Sequence, residues 1–240
     1  MDNIAKILAR LKPEKILDIA CGQGEFVAWI LHYFPDFQQL LAVDNNAKML
    51  QRAQQKFASE QRIDFRSMDA YDLALADDSY DLVTLSNSLH HFEDHSQLFA
   101  EIKRVLQPEG RLIINEMLAD KLSAAQESHK KIHHFAAKID RLKRRYHAET
   151  FSQEQVSKLM QAHGFSLEQQ VDYAHEIDTE LASQQVERLQ DALKQMLKSV
   201  ESRADFAELQ AEANEISQWM QKHSFASARS LLLIAKQKKS

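Results

Sequence analysis

The chain is poor in the residues that punctuate or cross-link a fold: one cysteine, three prolines and four glycines in 240 residues. The lone Cys21 excludes an internal disulfide framework and fits a reducing compartment. No window approaches the roughly 18 uninterrupted apolar residues of a membrane span, so no membrane partner is expected. The opening MDNIAKILARLKPEK lacks a long apolar segment and a small-residue cleavage site, so no secretory signal is read and a soluble, cytoplasmic protein is expected. Internal repeats and low-complexity stretches are also missing, and only the KQKKS end reads as a frayed tail. With a net charge of -5, the balance speaks against general attraction to nucleic acid. What is present is a hydrophobic fraction of 44%, enough for a sizeable core in one α/β domain, with or without a helical elaboration.

Because glycine is scarce, its placement is informative. Gly164 follows SQEQVSKLMQAH and is expected to cap that helix in a left-handed conformation. Gly110, in QPEG ahead of RLIINEM, reads as a turn into a strand. Gly22 and Gly24 stand two apart directly after KILDIAC. Two readings stay open there: a tight strand-to-helix turn without a ligand, or a loop whose bare backbone approaches one.

Strand-like runs recur at 15–21, 39–45, 63–69, 80–88 and 111–118, and the segments between them carry helical apolar spacing. This alternation predicts a parallel sheet covered by helices on both faces. In such sheets ligands sit beyond the carboxyl ends of the strands, near the switch in strand order. Successive strand ends here carry Asp18 with Gly22 and Gly24, then Asp44, Asp69 and Ser86-Asn87. Asp44 lies twenty positions past Gly24, the offset of a carboxylate that binds ribose hydroxyls. A dinucleotide loop would want a third glycine where Val27 stands, and a GxxxxGK[ST] phosphate loop is absent. A nucleoside without a pyrophosphate fits better.

ILDIACGQGEF resembles the first motif of class I S-adenosylmethionine-dependent methyltransferases, and LAVDNNAKML their acidic second-strand motif. SMDAYDL resembles the adenine-reading motif, YDLVTLSNSLHHF the fourth-strand motif, and IKRVLQPEGRLIINE the helix-turn-strand that follows. The resemblance runs through residues 10–118 and resumes at TFSQEQVSKLMQAHGF and SLLLIAKQK. It implies a Rossmann-like α/β sheet of seven strands, mostly parallel with the last antiparallel, with helices on both faces and an inserted helical lid or hairpin. It also implies S-adenosyl-L-methionine as cofactor. Gly22 and Gly24 would let the loop approach the methionyl part, over a floor shaped by Asp18, Ala20 and Cys21. Asp44 would accept from both ribose hydroxyls, and Asn45 and Met49 would flank the adenine. Met68, Asp69 and Ala70 would read its edge, and Ser86 and Asn87 would stand near the methionyl ammonium. Ala20 replaces the family's usual glycine. For Asp44 and Asp69 the alternative is strand-end capping or turn formation.

The acceptor side is harder to read, because a sulfonium methyl is already activated and a base is needed only if the acceptor must lose a proton. Candidates are His91, just past the fourth strand, Glu116 at the end of the fifth, and His134 and His147 beyond it. Each has a structural alternative: fixing a loop, capping a helix, or lining the core. His129 and His133 have the i,i+4 spacing that can hold a metal, but no HExxH accompanies them, and no metal site is expected.

Two helical blocks depart from the minimal fold, so that residues 1–240 read as one domain with a 10–118 cofactor core, a 119–147 insert and a 177–223 hairpin insert. In the first, Ile132, Phe135, Ile139, Leu142 and Tyr146 form an apolar stripe. Lys138, Arg141, Lys143, Arg144 and Arg145 form a basic cluster that is either a solvated face or an anion contact. In the second, a stripe from Leu181 to Val200 and another from Phe206 to Met220 predict two helices joined near Ser202–Ala204. The inserts read as a lid or buttress, with a homodimer surface as the alternative. The expected activity is methyl transfer to O, N or C of a small-molecule acceptor. The alternatives are an RNA methyltransferase and a non-catalytic cofactor- or partner-binding protein.

Overall fold

The fold follows from a computed structural model, in which residues 2–174 and 179–238 are described. Ile177 and Asp178, where the hairpin insert was expected to begin, lie outside them. Two compact units make up the chain. The first comprises 1–116, 154–171 and 231–240; the second comprises 117–153 and 172–230.

The first unit is built on a seven-stranded sheet of order β3-β2-β1-β4-β5-β7-β6. Its strands are β1 (Lys15–Ile19), β2 (Gln39–Asp44), β3 (Ile63–Ser67), β4 (Tyr80–Ser86), β5 (Leu106–Met117), β6 (Phe165–Tyr173) and β7 (Ser230–Gln237). The first five pair in parallel, and the last strand is antiparallel. β1 and β2 are buried along almost their whole length, which explains why they read as continuous apolar runs rather than alternating ones. β3, at the edge, is only half-buried. The chain winds outward from β1 to β3, then returns to place β4 on the other side of β1. That reversal opens a crevice at the carboxyl ends of β1 and β4.

Helices α1 (Asp2–Leu8), α2 (Glu25–Tyr33), α3 (Ala47–Lys56), α4 (His95–Val105) and α6 (Gln153–Ala162) belong to this unit, apart from Gln153. The Asn46 side chain caps α3 by accepting from the Lys48 and Met49 amides, and Asp94 caps α4 through the Gln97 amide. Val27, the residue standing where a dinucleotide loop has glycine, is fully buried on α2. α1 was not read from the sequence; it buries Ile4 and Leu8.

The sequence placed the start of β5 at residue 111, with Gly110 in a turn before it. The strand instead begins at Leu106, and its register against β4 steps from Tyr80–Leu106 to Leu82–Arg111. Gly110 lies in that bulge, where a Cβ would stand 3.0 Å from the carbonyl oxygens of Asp81 and Gln107. Close backbone approach, not turn formation, requires glycine there. Gly164 takes φ +88 just past α6, as a left-handed helix cap does.

The second unit joins the two helical blocks into one core. α5 (Ala124–Leu142) packs with α7 (Thr179–Lys198) and α8 (Phe206–His223). Ile132, Phe135 and Ile139 bury against Leu193, Leu209, Ile216 and Met220. α5 starts from a complete capping box, Ser123 with Gln126. Three members of the expected stripes, Tyr146, Leu181 and Phe206, are not part of this core. Tyr146 lies beyond the end of α5 and is 43% exposed, and Leu181, in the first turn of α7, is 54% exposed. Phe135 is the largest side chain of the seam, with 1% of its surface exposed. Phe135→Ala is expected to cost about 3–5 kcal/mol in equilibrium denaturation. A loss below about 1 kcal/mol would mean that this seam does not hold the helices together.

Candidate functional site

The loop between β1 and α2 turns through three left-handed residues: Ala20 at φ 55, Gly22 at φ 55 and Gly24 at φ 82. The Cys21 amide donates to the Val43 carbonyl at 3.0 Å and the Gly24 amide to the Cys21 carbonyl at 2.9 Å, closing the turn against β2. The two glycines answer different constraints. A Cβ on Gly24 would fall 2.5 Å from Cε2 of Phe57, so this glycine lets the loop pack on the residue that ends α3. A Cβ on Gly22 would meet no atom of the described residues within 4 Å. Its positive φ is a backbone requirement, and the space before it is open.

Asp44 ties this loop to the next. One carboxylate oxygen accepts from the Gly22 amide at 2.8 Å and the other from the Asn46 amide at 2.7 Å. Each oxygen keeps acceptor capacity after these bonds. Asn45 beside it is exposed and Met49, in the first turn of α3, is half-buried. At the end of β3 the Met68 amide donates to the Asp44 carbonyl at 3.3 Å. Asp69 then makes a turn of its own: its side chain accepts from the Tyr71 amide at 2.9 Å, and its carbonyl from the Asp72 amide at 3.2 Å. Ala70 is buried within that turn.

Asp18, on β1, is 1% exposed. Its Oδ1 accepts from the Thr84 hydroxyl at 2.6 Å across the β1–β4 pair, and Oδ2 is buried without a partner among the described residues. Burial pushes its carboxyl up to about 7; the Thr84 hydrogen bond opposes that and the charge of Asp44 adds to it. Burial also pushes the Cys21 thiol up, with Asp18 and Asp44 contributing, so Cys21 is an inert packing residue rather than a nucleophile.

At the end of β4, Asn87 takes φ 47, and its amide donates to the Asn115 carbonyl at 2.7 Å. The Asn115 side chain donates to the Ser86 hydroxyl at 3.0 Å, and the Ser86 carbonyl accepts from the Ser88 hydroxyl at 2.7 Å. A 3₁₀ turn, Leu89–His91, follows. Glu116 holds that turn: its oxygens engage the Leu89 amide at 3.0 Å and Nδ1 of His90 at 2.7 Å. Both side chains of the Glu116–His90 pair are buried. The sequence left Glu116 between orienting a substrate and capping a neighbour; its oxygens go to the turn. His91 is exposed, with its ring 4.5 Å from that of His90.

Thus the loops after β1, β2, β3 and β4 carry the expected cofactor residues, and shared hydrogen bonds link Gly22, Asp44 and Met68. His134 and His147 belong to the second unit. There Nε2 of His134 accepts from the Thr150 amide at 3.2 Å and lies 2.9 Å from its hydroxyl. His147 is buried beside Asp140. His129 accepts from the Ala228 amide at 3.0 Å and packs on Phe225; burial lowers its pKa. It is therefore held by backbone rather than aligned with His133. Sequence reasoning assigned no role to Thr84, Phe57, His90 or Asn115. Of these only His90, adjacent to a candidate and matched by a buried strand-end glutamate, left a signal in the sequence.

Among known proteins, residues 17–114 match the family described as methyltransferase domain. A demethylmenaquinone methyltransferase of Thermotoga maritima is 31% identical over 116 residues, 48% of this chain and 49% of that protein. One from Deinococcus radiodurans is 36% identical over 105 residues, 43% of each. The chain thus spans about half the length of the curated relatives it matches. Among solved structures, a Bacillus halodurans protein superposes with a TM-score of 0.65 at 18% identity, covering 99% of this chain and 100% of that one. A Haemonchus contortus phosphoethanolamine N-methyltransferase, solved with phosphomonomethylethanolamine and S-adenosylhomocysteine, gives 0.55 at 19%, covering 99% and 53%. At these identities the structural likenesses establish the fold.

Since the unfolded carboxyl ionises near 3.8 and the folded one near 7, the native state of the ligand-free chain resists deprotonation of Asp18. Its contribution to stability is fully present below pH 3.8 and is lost as pH rises toward 7. Relative to Asp18→Asn, the wild type should lose stability between pH 5 and 7 at up to about 1.4 kcal/mol per pH unit. Denaturation midpoints of the two proteins that run parallel across that range would contradict the assignment.

Proposed function

We propose, from the match of residues 17–114 to the family described as methyltransferase domain, that the chain transfers a methyl group from S-adenosylmethionine to an O, N or C nucleophile of a small-molecule acceptor. The observation that carries this reading is the Asp44 carboxylate, whose two oxygens each hold one backbone amide and each retain capacity for one ribose hydroxyl.

The residues around it fit the same ligand. The open space at Gly22 suits close approach of a thioether or sulfonium chain. Asp18 Oδ2, buried and unpartnered, lacks a donor that an ammonium group would supply. Asp69 and Ala70 offer a carboxylate and a backbone amide to an adenine edge. The bound cofactor supplies an electrophilic methyl group. The chain's own work is then to bind the nucleoside, orient the methionyl arm and exclude water. The family match ends at residue 114, before α5, so it carries the donor side; the curated relatives are named for a quinone substrate, and a small-molecule acceptor is the part of that likeness we adopt.

An RNA acceptor gains no support from the basic cluster. Lys138 pairs with Glu212 at 2.6 Å, Arg141 donates to the His147 carbonyl at 2.6 Å, and Arg145 pairs with Asp140, so three of its five cations serve the helical unit itself.

Calorimetric titration with S-adenosylmethionine and S-adenosylhomocysteine tests the reading. Wild type should bind both, and Asp44→Ala, still folded by circular dichroism, should bind at least tenfold more weakly (about 1.4 kcal/mol). A ligand-free protein that binds neither compound would sink the proposal.

A further inference from the structure

In the second unit, the segment after α5 turns back on the helix that precedes it. Arg144 takes φ 59, the Arg145 amide donates to the Asp140 carbonyl at 3.0 Å, and the Arg141 guanidinium holds the His147 carbonyl at 2.6 Å. These bonds return His147 to the face of α5 that carries His133. Nδ1 of His147 then lies 2.9 Å from Oδ2 of Asp140, and its Nε2 lies 3.4 Å from Nε2 of His133. The His147 side chain is 6% exposed, and His133 is half-buried.

A carboxylate at Nδ1 makes that nitrogen the donor and leaves Nε2 of His147 with its lone pair. The lone pair is aimed into the space it shares with the second imidazole nitrogen. At 3.4 Å the two nitrogens make at most a long hydrogen bond, beyond the roughly 2.7–3.2 Å of N–H···O contacts. Two nitrogens bound to one tetrahedral ion at about 2.0–2.1 Å stand about 3.3–3.4 Å apart. The rings agree with this. Nitrogens meeting head-on at that separation would put the ring centroids about 5.7 Å apart, whereas imidazoles converging on a shared ion bring them to about 5.2 Å. The observed centroid distance is 5.1 Å, with the ring planes at 78°.

From this the geometry points to a transition-metal site of the Zn²⁺ class in the helical unit, with Nε2 of His133 and Nε2 of His147 as ligands and Asp140 as the residue that orients one of them. A carboxylate behind a ligating histidine fixes the tautomer and raises the basicity of the ligand nitrogen. Imidazole donors select Zn²⁺ and its neighbours over Mg²⁺ or Ca²⁺, which take oxygen ligands. The remaining positions of a four-coordinate ion fall to further donors or to water. The i,i+4 pair that the sequence offered, His129 with His133, is not the one used: His133 faces a histidine fourteen residues on, reached only through the turn after α5.

The test uses the full chain, stripped of metal and titrated with Co²⁺ while its visible absorption is followed, then with Zn²⁺ in competition. The wild type should take up one Co²⁺ with the intense bands of a low-coordinate site and release it to Zn²⁺. His133→Gln and His147→Gln should each abolish the bands, and Asp140→Asn should weaken binding about 10- to 100-fold. No stoichiometric uptake by the wild type would overturn the proposal. So would undiminished uptake by His133→Gln, a half-buried substitution that decides the matter even if His147→Gln fails to fold. The chain has eleven histidines, and the single substitutions separate this pair from the others. Metal uptake is read without cofactor or acceptor, so its failure leaves the proposed methyl transfer standing, and the reverse also holds.

Discussion

The Asp44 carboxylate holds the Gly22 amide with one oxygen and the Asn46 amide with the other, and the geometry of the first unit's loops depends on that double contact. It fixes the glycine loop after β1 against the end of β2. It also sets Asn46, whose side chain starts α3 by capping two amides. At its far end α3 delivers Phe57, which fills the space that a Cβ on Gly24 would need. Loop, strand end and helix are thereby closed into one ring of constraints. A carboxylate accepting two backbone amides is charged, short-ranged and directional, and removing it would release all three elements together. The same oxygens are the acceptors left for a ligand, so the groups that build the site are those that would bind in it.

Glu116 does comparable work at the ends of β4 and β5. It is fully buried, and its two oxygens go to the Leu89 amide and the His90 ring. Losing either partner would strand a polar group without solvent, which costs far more than the net value of the pair itself. The turn that carries His91 is therefore held rigidly from beneath. Asp18 is the exception in this polar framework: buried like Glu116, but with one oxygen unpartnered and its proton correspondingly hard to remove.

The first unit was largely legible in the sequence because its signals are local. Continuous apolar runs mark strands buried on both faces, and a chain with four glycines that sets two of them at one strand end declares a backbone constraint. The seven mostly parallel strands and the carboxylates at their ends followed from these signals and from the family likeness. The helices of the second unit were also legible, since 3.6-residue periodicity survives without knowledge of the partner face. Their mutual packing was not, because Phe135 and Met220 are far apart in sequence and meet only in the folded core. The destination of Glu116, the pairing of His147 with His133 and the hydroxyl of Thr84 beneath Asp18 were hidden for the same reason. Each is a tertiary contact between residues whose local sequence is unremarkable. Tyr146 was misread as core because periodicity continues past the end of α5, which only the chain reversal after it defines; Leu181 keeps the helical spacing in the first turn of α7, yet its side chain is exposed.

The central claim is that the Asp44-tied loop is a nucleoside site, and a crystal structure of the protein grown with S-adenosylhomocysteine tests it most directly. The account predicts both ribose hydroxyls on the Asp44 carboxylate, the adenine beside Asp69 and Ala70, and the homocysteine arm over Gly22. Density for the ligand elsewhere, or at this loop without a contact to Asp44, would contradict it.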